Sequence, residues 1–311
     1  MIYNWRMTFT HPLAGVYAAA VTPLRPNYSP DLDSLPHLLD FLARRGCHGA
    51  LLLGTTGEGP SFAGEEKLAI FRAALAVRQV HPQFRLLAGS GAPSLTETIT
   101  LTKAAFELGF EGVVVLPPYY YRKATDEGLS VWFSEVLRRA VPAGGALLGY
   151  HIPSVAGIGL SLELLARLKD AFPSHFAGLK DSSSDPEYAR QLSARFGNDL
   201  LVLSGNDQLF TYALDHHAQG CIAALGNLFS VDLRRIWESH NGGQTSLASQ
   251  KRMARRREIM DSHLPVPAFM KSMLARREGF PRWPVRPPLL PLSPNSEEQA
   301  ARELNETDAE G

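Results

Sequence analysis

The strongest constraint on this chain is a pattern of eight short, almost continuously apolar runs, separated by segments long enough to form a helix. The runs are "AAAVTP" (18–23), "ALLLGTTGE" (50–58), "RLLAGSG" (85–91), "GVVVLPPYY" (112–120), "ALLGYHIP" (146–153), "FAGLKDS" (176–182), "LLVLSGND" (200–207) and "GCIAALGN" (220–227). A strand buried on both faces reads this way, and each run ends in Gly, Pro or polar turn residues. Between them lie amphipathic helical patterns. Leu35, Leu38, Leu39 and Leu42 recur at i, i+3, i+4, i+7. Ser94 and Glu97 have capping-box spacing, with Gly109 as the stop. Asp185, Pro186 and Gly197 read as N-cap, first helical residue and terminator. Strand–helix alternation implies a parallel sheet, and eight units within about 240 residues imply an α/β fold, a (β/α)8 TIM barrel. A doubly wound open sheet is the rival, but "GTTGEGP" lacks the Lys-Ser/Thr of a phosphate loop. "GSGAPS" lacks the third glycine of a dinucleotide fingerprint.

Beyond the eighth run no new strand pattern appears. Residues 246–262 and 266–279 read as helices, followed by the Pro-rich "PRWPVRPPLLPLSP" and the acidic, helical "NSEEQAARELNE". The expected organisation is an N-terminal extension over 1–12, a barrel core over 13–227, and the last barrel helix with a C-terminal helical extension over 228–311. Hydrophobic residues make up 45% of the 311, enough for a large core, so global disorder is excluded. Net charge is zero, which argues against nucleic acid or an anionic membrane as partner; "KRMARRR" (251–257) is a local basic stretch that reads as a solvated helix face. Cys47 and Cys221 form no C-x-x-C pair and read as inert core thiols. The N-terminus has no secretory h-region and no segment is long enough to span a bilayer, so a cytoplasmic protein is expected.

In a barrel of this kind the chemistry gathers at the C-terminal strand ends. Those ends carry Thr22, Thr55-Thr56-Gly57-Glu58, Tyr119-Tyr120, Tyr150-His151, Lys180-Asp181 and Ser204-Gly205-Asn206. No acidic cluster or His-x-His pair is among them, which argues against a metal-dependent hydrolase. The adjacent His216 and His217 fall in a predicted helix, where neighbours point to different faces. The chain has seven lysines, and Lys180 alone ends a predicted strand. Burial disfavours the ammonium form, and a neutral amine attacks a ketone to give an imine, an electron sink for a neighbouring carbanion. The plain alternative is a lysine snorkelling to solvent or paired with Asp181. Tyr150, on the adjacent strand, is a candidate proton shuttle with Thr55 as relay; a core tyrosine with a satisfied hydroxyl is the alternative. Successive N–H groups in "GTTGE" are suited to a carboxylate, or form a plain turn; Tyr119 to Tyr121 are site residues or aromatic packing.

Four motifs in order, "GTTGE", "PPYYYR", "YHIPSVAG" and "GLKDSS", with "VPAFMKSML" near the C-terminus, resemble the dihydrodipicolinate synthase / N-acetylneuraminate lyase family of class I, Schiff-base-forming aldolases. The similarity covers roughly residues 13–292. It implies a (β/α)8 barrel with a C-terminal helical bundle, assembled as a homotetramer, a pair of dimers. It implies that Lys180 forms the imine with pyruvate or another 2-keto acid and that Tyr150 moves the proton. Thr55 and Thr56 would bind the carboxylate, with Thr55 also in the relay. Tyr120 would be the relay tyrosine reaching into a neighbouring subunit, and Gly205 and Ile222 would line the pyruvate end. No metal and no organic cofactor are implied.

Two positions depart from the synthase pattern. Val155 stands where an arginine grips the aldehyde's carboxylate, and an aliphatic side chain makes no such bidentate contact. His151 replaces an asparagine. "GLKDSS" looks closer to the branch that cleaves 2-keto-3-deoxy sugar acids or 4-hydroxy-2-oxoglutarate. The expected function is therefore a pyruvate-dependent aldolase acting on a 2-keto-4-hydroxy acid, with an aldehyde as the other partner. The alternatives are the synthase proper, with another residue replacing the arginine; a sugar-acid dehydratase of the same family; and a barrel that only binds a keto acid as a sensor.

Overall fold

The computed structural model describes residues 11–309. Eight parallel strands close in sequence order: β1 (Gly15–Ala19), β2 (Gly49–Leu52), β3 (Arg85–Gly89), β4 (Gly112–Val115), β5 (Leu147–His151), β6 (Phe176–Asp181), β7 (Leu201–Ser204) and β8 (Gly220–Ala223). Closure is made by Gly15–Ala18 of β1 in register with Gly220–Ala223 of β8. Nearly every strand residue is buried, since each strand faces the barrel interior on one side and helices on the other.

The connecting helices are α1 (Ser34–Arg44), α2 (Gly64–Ala74), α3 (Leu95–Glu107), α4 (Asp126–Ala140), α5 (Pro153–Ala156), α6 (Leu162–Ala171), α7 (Pro186–Phe196), α8 (Phe210–Asp215) and α9 (Gly226–Asn241). The leucines picked out by the helical period in α1 are its buried face. Asp185 caps α7 by accepting from the Glu187 N–H, with Pro186 first in the helix and Gly197 ending it. Ser94 caps α3 through the Glu97 N–H, but Glu97 turns its carboxylate to Lys67 instead of completing a capping box.

Several expectations need correction. The basic stretch 251–257 is not a solvated face throughout, because Met253 and Arg256 within it are buried. β2 and β4 end at Leu52 and Val115, so Thr55–Glu58 and Tyr119-Tyr120 lie in the loops that follow. The first apolar run is displaced: β1 ends at Ala19, so Thr22 lies in the loop beyond it. There the Asn227 side chain, accepting from the Val21 N–H, takes the place of a strand neighbour, and the Thr22 hydroxyl donates to the Gly57 carbonyl. His216 and His217 follow α8 rather than lying in it. His217 has φ +64; the His216 ring bonds the Tyr212 carbonyl one turn back, and the His217 ring bonds the Ser193 hydroxyl of α7. The first ten residues of the expected N-terminal extension lie outside the described residues.

After α9 the chain forms α10 (Leu247–Ser262), α11 (Val266–Glu278) and α12 (Pro294–Ala309). Arg256 of α10 is buried; it binds Asp232 of α9 at 2.5 Å and Asp308 of α12 at 2.7 Å, and stacks over Phe229. The deepest link runs from α11 to the β2 loop. Lys271 and Glu58, both almost wholly buried, are 2.5 Å apart; Lys271 also donates to the Pro284 carbonyl, and Glu58 accepts from the Arg286 N–H at 2.7 Å. Glu58 has φ +56, a left-handed conformation that costs a non-glycine residue about 1–2 kcal/mol and that these bonds hold in place.

Removing one partner of a buried pair leaves an uncompensated charge, at a cost of about 3–5 kcal/mol. Lys271→Met should therefore lower the denaturant midpoint markedly, and adding Glu58→Leu should recover part of the loss. An unchanged midpoint in the single variant would show that the pair is not holding the loop.

Candidate active site

Lys180 is the penultimate residue of β6 and is 3% exposed. Burial alone does not single it out, because Lys67 and Lys271 are also buried. What differs is the company. Lys67 pairs with Glu97 at 3.0 Å and Lys271 with Glu58, whereas Lys180 has no carboxylate partner among the described residues. Its amine donates instead to the Tyr150 hydroxyl at 3.2 Å and lies 4.2 Å from the centre of that ring. Asp181, the alternative partner, accepts from the Ser183 N–H.

Sheet register explains the approach. Tyr150 and Lys180 are direct neighbours on adjacent parallel strands. The Tyr150 hydroxyl is also 3.2 Å from the Thr55 hydroxyl, on the loop after β2. The order Lys180–Tyr150–Thr55 thus runs from the buried wall to an exposed residue at the mouth. Burial would raise a phenol's pKa. Here the Lys180 charge, with hydrogen bonds from Thr55, Lys180 and Ser182, outweighs it and holds Tyr150 below the ordinary tyrosine range.

The β2 loop is packed too closely for side chains at its glycines. A Cβ on Gly59 would lie 1.9 Å from the Leu53 carbonyl oxygen, and one on Gly57 would lie 2.7 Å from that of Ala20. The N–H groups of Thr55, Thr56 and Gly57 make no hydrogen bond among the described residues, so three successive donors are free for an anion. Thr56 is buried beside them.

Of the other candidates, Ile222 is fully buried in β8. Gly205 follows β7, and a Cβ there would fall 1.9 Å from the Ser182 hydroxyl oxygen, so the glycine makes room for that residue. Tyr120 is not drawn into this constellation. It is 76% exposed and meets Tyr121 edge-on. Val155, in α5, is also exposed, and Arg122 from the β4 loop runs its side chain across Gly157 of the same segment. His151 is buried, its ring stacked on Tyr188. Sequence reasoning missed Ser182 as a site residue, though two positions past a strand lysine is the same face. It also missed Tyr188 and the Lys271–Glu58 pair, for which no local signal exists. No cluster of three or more His, Cys, Asp or Glu side chains suited to a metal occurs among the described residues. None of the described helices is long and apolar enough to cross a membrane.

Residues 12–307 match the profile of the Dihydrodipicolinate synthetase family. An uncharacterized DapA-like lyase of Chloroflexus aurantiacus is 35% identical, over 92% of this chain and 94% of the relative. The 4-hydroxy-tetrahydrodipicolinate synthase of Bacillus subtilis is 30% identical, over 89% and 93%. Among solved structures, dihydrodipicolinate synthase from Agrobacterium tumefaciens superposes with a TM-score of 0.84 at 27% identity, covering 94% of this chain and 99% of that one. YagE, a protein of the same family from E. coli K12 solved with pyruvate, gives 0.89 at 23% identity, over 95% and 99%.

The electrostatics of the pair can be read in a tyrosine absorbance titration. One phenol should ionise ahead of the others, and far ahead of Tyr17, which burial pushes up to about 12. The early step should vanish in Tyr150→Phe. In Lys180→Met it should move upward, because burial is then opposed only by hydroxyl hydrogen bonds. An early step that survives Tyr150→Phe would refute the assignment.

Proposed function

The chain belongs to the dihydrodipicolinate synthetase family of class I lyases, and we propose that it is a pyruvate-dependent aldolase cleaving a 2-keto-4-hydroxy acid, such as a 2-keto-3-deoxy sugar acid or 4-hydroxy-2-oxoglutarate, to pyruvate and an aldehyde, or running the reverse condensation. The observation that carries the proposal is the buried Lys180 amine, without a carboxylate partner and 3.2 Å from a phenol.

In this reading the Lys180 nitrogen attacks C2 of the keto acid, and loss of water leaves a protonated imine. A base removes the C4 hydroxyl proton, the C3–C4 bond breaks, and its electron pair moves into the imine to give an enamine and the aldehyde. Protonation at C3 and hydrolysis release pyruvate. Tyr150 carries the protons, with Thr55 as its link to the mouth. The free N–H groups of Thr55 and Thr56 receive the keto acid's carboxylate. Gly205 and Ile222 bound the pyruvate end. Tyr120, exposed and bonded to nothing in its own site, is suited to complete the relay of a neighbouring subunit in a homotetramer, a dimer of dimers. A cytoplasmic setting is proposed with it, in keeping with the free, buried Cys47 and Cys221.

A second reading, the 4-hydroxy-tetrahydrodipicolinate synthase reaction, is favoured by one contact. Arg122, packed across Gly157, brings a guanidinium to the segment where Val155 offers none.

Incubation with pyruvate followed by borohydride reduction should add mass only to the peptide carrying Lys180; absence of any adduct would remove imine chemistry altogether. Tyr150→Phe should keep the adduct yet slow turnover by about 10²–10⁴-fold. An aldehyde panel that includes aspartate semialdehyde separates the two readings: preference for the semialdehyde, lost in Arg122→Gln, selects the synthase. Light scattering should give a tetramer, and a fully active monomer would contradict the role of Tyr120.

A further inference from the structure

The segment between β5 and α6 leaves the barrel at His151 and comes back at Leu160, and Leu160 is gripped by both its backbone groups. Its N–H donates to Nδ1 of His151 at 2.9 Å. Its carbonyl accepts from the Tyr188 hydroxyl at 2.6 Å. The imidazole and phenol that make these bonds stack on one another, with centroids 4.2 Å apart and planes 11° from parallel. Space is close on both sides of the grip. A Cβ on Gly159 would lie 2.9 Å from Cε1 of His151, and a Cβ on Gly149 would lie 2.6 Å from the Leu160 side chain. Strand β5, the returning loop and helix α7 therefore meet at a single residue.

The clamp requires a neutral imidazole, because Nδ1 must accept while the ring proton sits on Nε2. Burial pushes His151 down to about 4, opposed by Asp185. The other ionisable groups facing it are Tyr188 and Asp181, its register neighbour on β6. The grip is thus intact at neutral pH. As pH falls below the usual histidine value toward 4, protonation increasingly opposes it.

The residues between the jaws begin two positions after Tyr150, so the neck of this loop and the phenol share one strand end. Ile152, Ala156 and Ile158 turn inward and are buried, while Val155 remains 58% exposed. A short loop tied at its neck has few conformations, so its outward side chains hold fixed positions.

We propose that His151 and Tyr188 are positioning residues: by clamping Leu160 they fix the 152–159 loop, with Val155, as the surface that selects the aldehyde half of the substrate. The role given to the loop rests on the aldolase reading; the clamp does not.

The test uses the full-length protein and two readouts. The first is hydrogen exchange at the Leu160 amide. It should accelerate by about tenfold or more in His151→Ala, less in Tyr188→Phe, and return toward wild type in His151→Asn, whose amide oxygen restores an acceptor. The second is steady-state cleavage of 4-hydroxy-2-oxoglutarate, alongside borohydride trapping of pyruvate. In His151→Ala, KM should rise by about tenfold with kcat within about threefold and the Lys180 adduct unchanged. Exchange unaltered in both variants would overturn the clamp. Faster exchange with KM unmoved would overturn the selectivity role, as would a common fall in kcat, adduct yield and thermal midpoint, which marks a merely structural residue. If wild type gives no pyruvate adduct, the aldolase reading fails, and the exchange data still decide the clamp.

Discussion

The arrangement at the mouth of the barrel depends on one buried ion pair, Lys271 with Glu58. Two charges removed from water are tolerable only where each finds its partner and the remaining hydrogen-bonding capacity is also met. Both conditions hold here: the ammonium has the Pro284 carbonyl as a second acceptor, and the carboxylate has the Arg286 N–H as a second donor. The pair pins the far end of the loop whose near end presents Thr55. Through Thr55 it reaches Tyr150, and through Tyr150 it reaches Lys180.

The molecule uses the same side chain in two opposite ways. Lys271 is neutralised by a carboxylate and serves as an anchor, whereas Lys180 is given only a phenol. The Lys180 charge, with the hydroxyls around it, holds the Tyr150 phenol below the ordinary tyrosine range. What separates the two lysines is the partner, not depth of burial.

The alternation of apolar runs and amphipathic segments revealed the barrel because that pattern is local: burial on both faces of a strand is written into four or five consecutive residues. It blurred at strand ends: β2 and β4 stop at Leu52 and Val115, short of their runs, and at β1 the apolar run continues past Ala19, where the Asn227 side chain replaces a strand neighbour. The closeness of Lys180 and Tyr150 was legible once the barrel was assumed, since consecutive strands are neighbours and both residues sit at strand ends. Nothing local joins Glu58 to Lys271, separated by 213 positions, or tells Lys67 from Lys180 by burial. The sequence also could not show why a histidine follows Tyr150. Its partner atoms lie on Leu160 and its stacking partner on α7, so the reason appears only when three elements converge.

The Pro-rich stretch beyond α11 returns to the opening third of the molecule. Besides its N–H on Glu58, Arg286 places its guanidinium on Glu66 and on the carbonyls of Ser61 and Tyr28. During synthesis the β2 loop leaves the ribosome long before either Lys271 or Arg286 exists, and its carboxylate waits without a mate. Settling of the β2 loop, with the free N–H groups of Thr55, Thr56 and Gly57, is therefore a late event in the life of the nascent polypeptide. A premature stop, or a cleavage ahead of Arg286, would reach that loop from a distance while every strand of the ring remained present.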